Sequence, residues 1–203
     1  MRIVIYPGTF DPIHSGHIDI AERASTLFDK LIFAVAVNAD KKPLFTPKER
    51  IEMIIEAMGH VQNVEAFATE GLVADFARRH KAVALIRGLR HVSDFEFEFQ
   101  MATMNHHLNS EVSTLLMVTS EKYIHLNSSV VKDVARLKGN ISNFVPSNVM
   151  EKLKEKFKLL EQSFPSVVLV RDLVKLLKLQ IQFLEECNQL QLVILVQVQE
   201  RRL

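Results

Sequence analysis

Four short stretches hold most of the side chains able to act on a phosphoryl group: His14-Ser15-Gly16-His17, Lys41-Lys42, Arg87-Gly88-Leu89-Arg90 and Asn127-Ser128-Ser129. A glycine just before a helix exposes backbone N–H groups that an anion can use, and a histidine at that helix start can donate to an oxygen gaining charge in a transition state. Two arginines flanking a glycine can fork onto phosphate oxygens, or be salt-bridged to the nearby Asp94, Glu96 and Glu98. Lys41 and Lys42 suit either a phosphate site or a solvated turn, and Ser128 and Ser129 suit either a helix cap or a phosphate site. The two histidines, three residues apart, are also compatible with surface positions or metal ligation, but no third ligand for zinc is in view.

Absent motifs and composition narrow the chemistry. The sequence has no G-x-x-x-x-G-K-[ST] loop, no G-x-G-x-x-G turn, no nucleophile elbow and no H-E-x-x-H. What remains is catalysis by positioning and electrostatics on a phosphoryl group. The 203 residues carry 25 Lys+Arg against 24 Asp+Glu, a net charge of +1, so nothing supports a general nucleic-acid binder and phosphate recognition must be local. A single cysteine, Cys187, excludes an internal disulfide and a cysteine-cluster zinc site, which fits a reducing compartment. The apolar run Ile3-Val4-Ile5-Tyr6 is too short for a signal peptide, and no window approaches the roughly 18 apolar residues of a membrane span. The expectation is a soluble cytoplasmic protein with no membrane partner.

The chemistry-bearing stretches need elements to hold them. Short β-branched runs predict strands over residues 2–6, 30–37, 63–67, 82–87 and 112–118, the first running into a Pro7-Gly8 turn. Helical spacing joins them: Ile18 to Phe28, Ile51 to Met58, Leu72 to Phe76 and a longer helix over 93–108. Asn127-Ser128-Ser129 are N-cap residues for a helix through Val134, Pro146-Ser147 opens another, and Pro165 marks a break. Strands alternating with helices predict a parallel α/β sheet with right-handed crossovers, in which ligands bind beyond the carboxyl ends of the strands. All four stretches fall in such loops and could line one cleft. Beyond residue 160 the composition shifts. Val170, Leu173, Leu177, Ile181 and Leu184 predict an apolar helix face, and Leu190 to Val198 an uncharged strand. The expected organisation is a catalytic domain over 1–160 and an extension over 161–203, there for packing, for assembly, or as sequence foreign to the domain.

Taken together, residues 6–17 (YPGTFDPIHSGH), Lys41-Lys42-Pro43, Ile86 to Arg90 followed by Asp94 to Glu98, Asn105, and Ser128 to Lys132 resemble the bacterial phosphopantetheine adenylyltransferase family, in order from Met1 to about Leu159. The resemblance implies a Rossmann-like, doubly wound five-stranded parallel sheet in the order 3-2-1-4-5 with a helical C-terminal part. It implies transfer of the adenylyl group of ATP to 4′-phosphopantetheine, with magnesium, giving dephospho-coenzyme A and pyrophosphate. It further implies that Thr9, Phe10, His17, Gly88, Leu89, Arg90, Glu98 and the segment Tyr123, Ile124, His125, Leu126, Asn127, Ser128, Ser129 bind ATP. Thr9, Lys41, Val73, Arg87 and Asn105 would hold phosphopantetheine, and His17, Thr9, Lys41 and Arg90 would serve the chemistry. No protein metal ligand is implied, the magnesium being carried by the triphosphate. Other expectations from the resemblance are a homohexamer and coenzyme A as a feedback ligand. Asn127, Val73 and Phe97 depart from the family pattern, where a serine, a longer apolar residue and a tyrosine are expected. The competing functions on the same fold are a non-catalytic nucleotide or coenzyme A sensor and a sister nucleotidyltransferase with another acceptor.

Overall fold

The computed structural model describes residues 1–37 and 42–163. The chain divides into a unit over Met1–Glu155 and a second over Lys156–Leu203. Lys41, the break at Pro165, Cys187, and the helix and strand expected beyond residue 166 lie outside the described residues.

The first unit is a five-stranded parallel sheet in the order β3-β2-β1-β4-β5. The strands are β1 (Ile3–Gly8), β2 (Lys30–Ala36), β3 (Val64–Thr69), β4 (Ala84–Leu89) and β5 (Ser113–Val118). The helices are α1 (Ser15–Leu27), α2 (Pro47–Ala57), α3 (Val73–Arg79), α4 (Val92–Leu108), α5 (Ser128–Arg136) and α6 (Ser147–Ser163), with a 3₁₀ turn over Glu121–Tyr123. All five expected strands and the doubly wound order are present. The central strands are apolar on both faces because helices cover both sides, so Val4, Ile5, Leu31, Ile32, Phe33 and Leu85 are buried without alternation.

The boundaries moved where the sequence reads as punctuation. Pro7-Gly8, expected as a turn, are the last two residues of β1, paired with Ala34 and Val35 of β2. On the other side the pairing with β4 stops at Ile5–Leu85. Proline has no N–H with which to continue that ladder, and the Pro7 carbonyl instead accepts a hydrogen bond from Arg87 Nη1 at 3.1 Å. β1 and β4 thus part towards their carboxyl ends, at the point where the strand order reverses from β1 to β4, and a crevice opens there. Gly8 is required for a different reason than a turn: a Cβ on it would lie 2.8 Å from Cζ of the Phe10 ring.

Local chemistry fixes the helix starts around the crevice. Thr46 and Glu49 form a reciprocal capping box on α2, with Pro47 in the first turn. Asn127 Oδ1 accepts the Val130 N–H at 2.8 Å and caps α5. Arg50 of α2 is buried at 1% exposure and donates to the carbonyls of Thr9 (2.7 Å) and Ala36 (3.0 Å), tying the ends of β1 and β2 to the helix. Replacing Arg50 with Met removes both bonds and leaves two carbonyls without these donors, so unfolding stability measured in urea should fall by about 2–4 kcal/mol. A loss under about 0.5 kcal/mol would show that Arg50 is not a structural tie.

Candidate active site

A cleft of about 710 Å³ opens at the carboxyl ends of β1 and β4, over the start of α1 and facing the first turn of α5. Its walls gather Thr9, Phe10, His17, Arg87, Gly88, Arg90, Glu98, Tyr123, Leu126, Asn127, Ser128 and Ser129. Five residues that the resemblance placed at the site do not line it. Val73 begins α3 and, partly buried, packs against the core cluster of Ile5, Ile32 and Phe76. Asn105 is buried in α4, where its carbonyl accepts the Asn109 N–H that closes the helix. The Leu89 carbonyl accepts the Thr119 N–H, the His125 ring packs edge-on to Phe144, and the Ile124 N–H bonds back to Glu121.

The floor is aromatic. Phe10 adopts φ +48°, a left-handed conformation uncommon outside glycine, and its buried ring meets Tyr6, Phe33 and His17 at 5.0 to 5.3 Å. His17 stacks on His14 with ring centroids 3.7 Å apart. The His17 Nδ1 lies 3.3 Å from the His14 backbone nitrogen and accepts its N–H. In a neutral ring that bond places the proton on Nε2. The ring is neutral because burial, followed by His14, Arg90 and Arg87, holds its pKa well below the usual histidine value. His14 is likewise pushed down to about 4, by burial first and then by the Arg90 charge.

Each arginine carries its own carboxylate. Arg87 Nε and Nη2 donate to the two Glu98 oxygens at 2.6 and 2.7 Å, a bidentate pair. Burial disfavours the Arg87 charge, but Glu98 outweighs it and Arg87 titrates above its ordinary range. Arg90 donates to Asp94, in the first turn of α4, at 3.2 and 3.3 Å. The ion-paired arrangement weighed from the sequence is therefore the one present, and Glu98 meets Arg87 with both oxygens. Among the lining residues, His14, Asp11 and Lys132 were given no individual binding or catalytic role from the sequence. His14 carried no distinguishing signal beside His17. Asp11 and Lys132 stood inside the motifs, but their pairing joins residues 121 apart, which no local spacing shows. Among the described residues no three His, Cys, Asp or Glu side chains converge as a metal site.

The comparisons with known proteins decide the family. A cytidylyltransferase-like family model matches residues 5–134. The phosphopantetheine adenylyltransferase of Caldanaerobacter subterraneus is 52% identical over 158 residues, covering 78% of this chain and 99% of that one. Those of Heliobacterium modesticaldum and Clostridium perfringens are 50% and 49% identical, covering 77% of this chain and 94% and 95% of theirs. The chain belongs to the phosphopantetheine adenylyltransferase family. It is a nucleotidyltransferase. A crystal structure from Vibrio parahaemolyticus assigned as a nicotinate-nucleotide adenylyltransferase shares the fold, with a TM-score of 0.58 at 18% identity, covering 77% of this chain and 95% of that one.

Burial of two neutral histidines in an adenylyltransferase site makes its stability acid-sensitive. The folded-state pKa of His14 is depressed from 6.5 to about 4, so the unfolded chain binds the extra proton first and stability falls as the pH drops from about 6.5 towards 4. His14 alone should account for about 1.5 kcal/mol of loss between pH 6.5 and 5. Urea midpoints measured over that range should fall less steeply for His14→Asn than for the parent chain. Equal slopes would place the acid sensitivity elsewhere.

Proposed function

We propose that this cleft is where the adenylyl group of ATP passes to 4′-phosphopantetheine, giving dephospho-coenzyme A and pyrophosphate, a late step of coenzyme A biosynthesis. The observation that carries the reading is about 50% identity to phosphopantetheine adenylyltransferases along nearly their whole length. The cation-lined crevice at the topological switch point is its structural counterpart. A sister enzyme with another acceptor and a non-catalytic sensor are both disfavoured by the name those relatives share.

An oxygen of the pantetheine phosphate attacks the α-phosphorus of ATP in line. A new P–O bond forms, the bond from the α-phosphorus to the bridging β-phosphate oxygen breaks, and pyrophosphate leaves with its electron pair. The nucleophile is already an anion at neutral pH, so neither a covalent enzyme intermediate nor a strong general base is needed. His17, its Nδ1 occupied by the His14 N–H, donates from Nε2 to the α-phosphate oxygen as charge builds there. Arg90 and Thr9 assist at the phosphates, and Lys41 and Arg87 receive the acceptor phosphate. Gly88, Phe10, Tyr123 and residues 126–129 form the nucleotide wall. Gly88 has no room for a side chain, since a Cβ would fall 2.6 Å from Ile20 Cδ1. Magnesium, carried by the triphosphate, would supply charge neutralisation there. Among the described residues, the two carboxylates that line the cleft, Asp11 and Glu98, are engaged by Lys132 and Arg87.

The same helix that secures the arginines bears on assembly. α4 buries Glu98 and Asn105, while Val92, Phe95, Phe97, Phe99, Met101 and Met104 are exposed on it. Acidic Asp94 and Glu96 beside these residues disfavour an anionic membrane surface, and no helix among the described residues is long and apolar enough to cross a membrane. Further copies of the chain are the fitting cover, which supports a homo-oligomer, six by the family resemblance. Coenzyme A, which joins the acceptor and nucleotide portions in one molecule, fits the same cleft as a feedback ligand, and a cytoplasmic enzyme is the setting in which it would act.

Pyrophosphate release should require ATP and 4′-phosphopantetheine together, with dephospho-coenzyme A as co-product; release with CTP or nicotinamide mononucleotide instead would assign another reaction. His17→Ala should lower turnover by about 10²-fold or more with ATP affinity within a few fold, the signature of a group acting on the transition state. Near-normal turnover would remove His17 from the mechanism. Lys41→Ala and Arg87→Ala should raise KM for phosphopantetheine by about tenfold or more. An effect on ATP alone would reverse the assignment of the two halves of the cleft.

A further inference from the structure

Asp11 is a buried carboxylate in the cleft, 3% exposed, and the reaction as written does not use it. Its Oδ1 accepts the Phe45 N–H at 2.9 Å. Its Oδ2 accepts the Leu44 N–H at 2.9 Å and takes the Lys132 ammonium at 2.5 Å. The two amides belong to the segment that follows Lys42 and Pro43, both in the cleft wall on the acceptor side. Lys132 stands one turn inside α5, the helix whose start carries Ser128 and Ser129 on the nucleotide side. A second bond, Ser128 Oγ to the Pro12 carbonyl at 2.9 Å, runs from α5 to the residue next to Asp11. The two walls of the cleft are thus each bonded to one side chain between them.

We propose that Asp11 and Lys132 form a positioning pair that sets the register between the acceptor and nucleotide walls, and so the approach of the attacking oxygen to the α-phosphorus. The proposal rests on the adenylyl-transfer reading. In-line transfer without a covalent intermediate depends on alignment, and a misplacement of about 1 Å can cost on the order of 10²-fold in rate. A buried carboxylate holding two backbone amides and an ammonium is a stiff junction, because moving any donor leaves charge without a partner. Lys132 is well suited to that duty. Only 24% of its side chain is exposed, and its ammonium lies 2.5 Å from the same Asp11 oxygen that accepts the Leu44 N–H.

The test uses the full chain. Lys132→Met should lower kcat by about tenfold or more while KM for ATP and for phosphopantetheine each stay within about threefold, since alignment and not binding is lost. Lys132→Arg, which retains a cation for Asp11, should recover most of that loss. Asp11→Asn should speed amide hydrogen exchange at Leu44 and Phe45 by about tenfold with β1 and β2 unchanged. Unchanged kcat in Lys132→Met overturns the proposal. So does a rise of about tenfold in KM for ATP alone, which would make Lys132 a direct triphosphate ligand, and so does an arginine variant no better than the methionine one. If Asp11→Asn does not fold, the two Lys132 variants decide the question. Failure of the parent chain to make dephospho-coenzyme A would sink the functional reading instead, and the exchange at Leu44 and Phe45 would still report on the pair.

Discussion

Like charges repel, and Arg87, Arg90 and Lys132 all reach one cleft of about 710 Å³ that must also fold without its anionic substrates. The structure resolves this by giving each cation a carboxylate: Glu98 for Arg87, Asp94 for Arg90 and Asp11 for Lys132. The pairing holds the guanidinium and ammonium groups near where phosphates would arrive, so less side-chain freedom is lost on binding. It also leaves capacity in reserve. Arg87 has five N–H donors, and the hydrogen bonds to Glu98 and Pro7 occupy three of them. Positive charge kept nearby in turn keeps His17 neutral, because Arg90 and Arg87 add to burial in depressing its pKa.

That arrangement dictates the unusual polarity of α4. A helix packed on a sheet ordinarily turns its apolar stripe inwards. α4 instead buries the acid that serves Arg87, and Phe95, Phe97 and Phe99 are left exposed beside it. The acid that serves the site and the exposed apolar side chains belong to one helix, so a substitution of either acts on an element that both share. The crevice has an equally local origin. Pro7 cannot continue the ladder to β4, and Arg87 takes the carbonyl that the ladder leaves.

Much of this was legible before any coordinates. Alternating β-branched runs and helical spacings are strong signals, and all five strands lie where the sequence predicts them, in the order that the resemblance implies. The cleft-lining loops were legible because strand ends in a parallel sheet must converge on one edge. What the sequence hid was pairing across distance. Nothing in the local spacing of Asp11 or Lys132 announces a partner 121 residues away, and nothing near Val73 tells that it packs against the core cluster. Pro7-Gly8 misled for the opposite reason: a strong turn signal was overridden by its place at the end of a central strand.

The central claim is that the carboxylates organise the cations for substrate, rather than competing with substrate for them. Calorimetric titration of 4′-phosphopantetheine into Glu98→Gln tests it most directly, because the variant keeps the shape of the side chain and removes only its charge. If Glu98 organises Arg87, affinity should fall by about tenfold, on the scale of one lost charge-assisted bond. If Glu98 competes, the freed guanidinium should bind the acceptor phosphate more tightly than the parent chain does, and the account given for the cleft would be wrong.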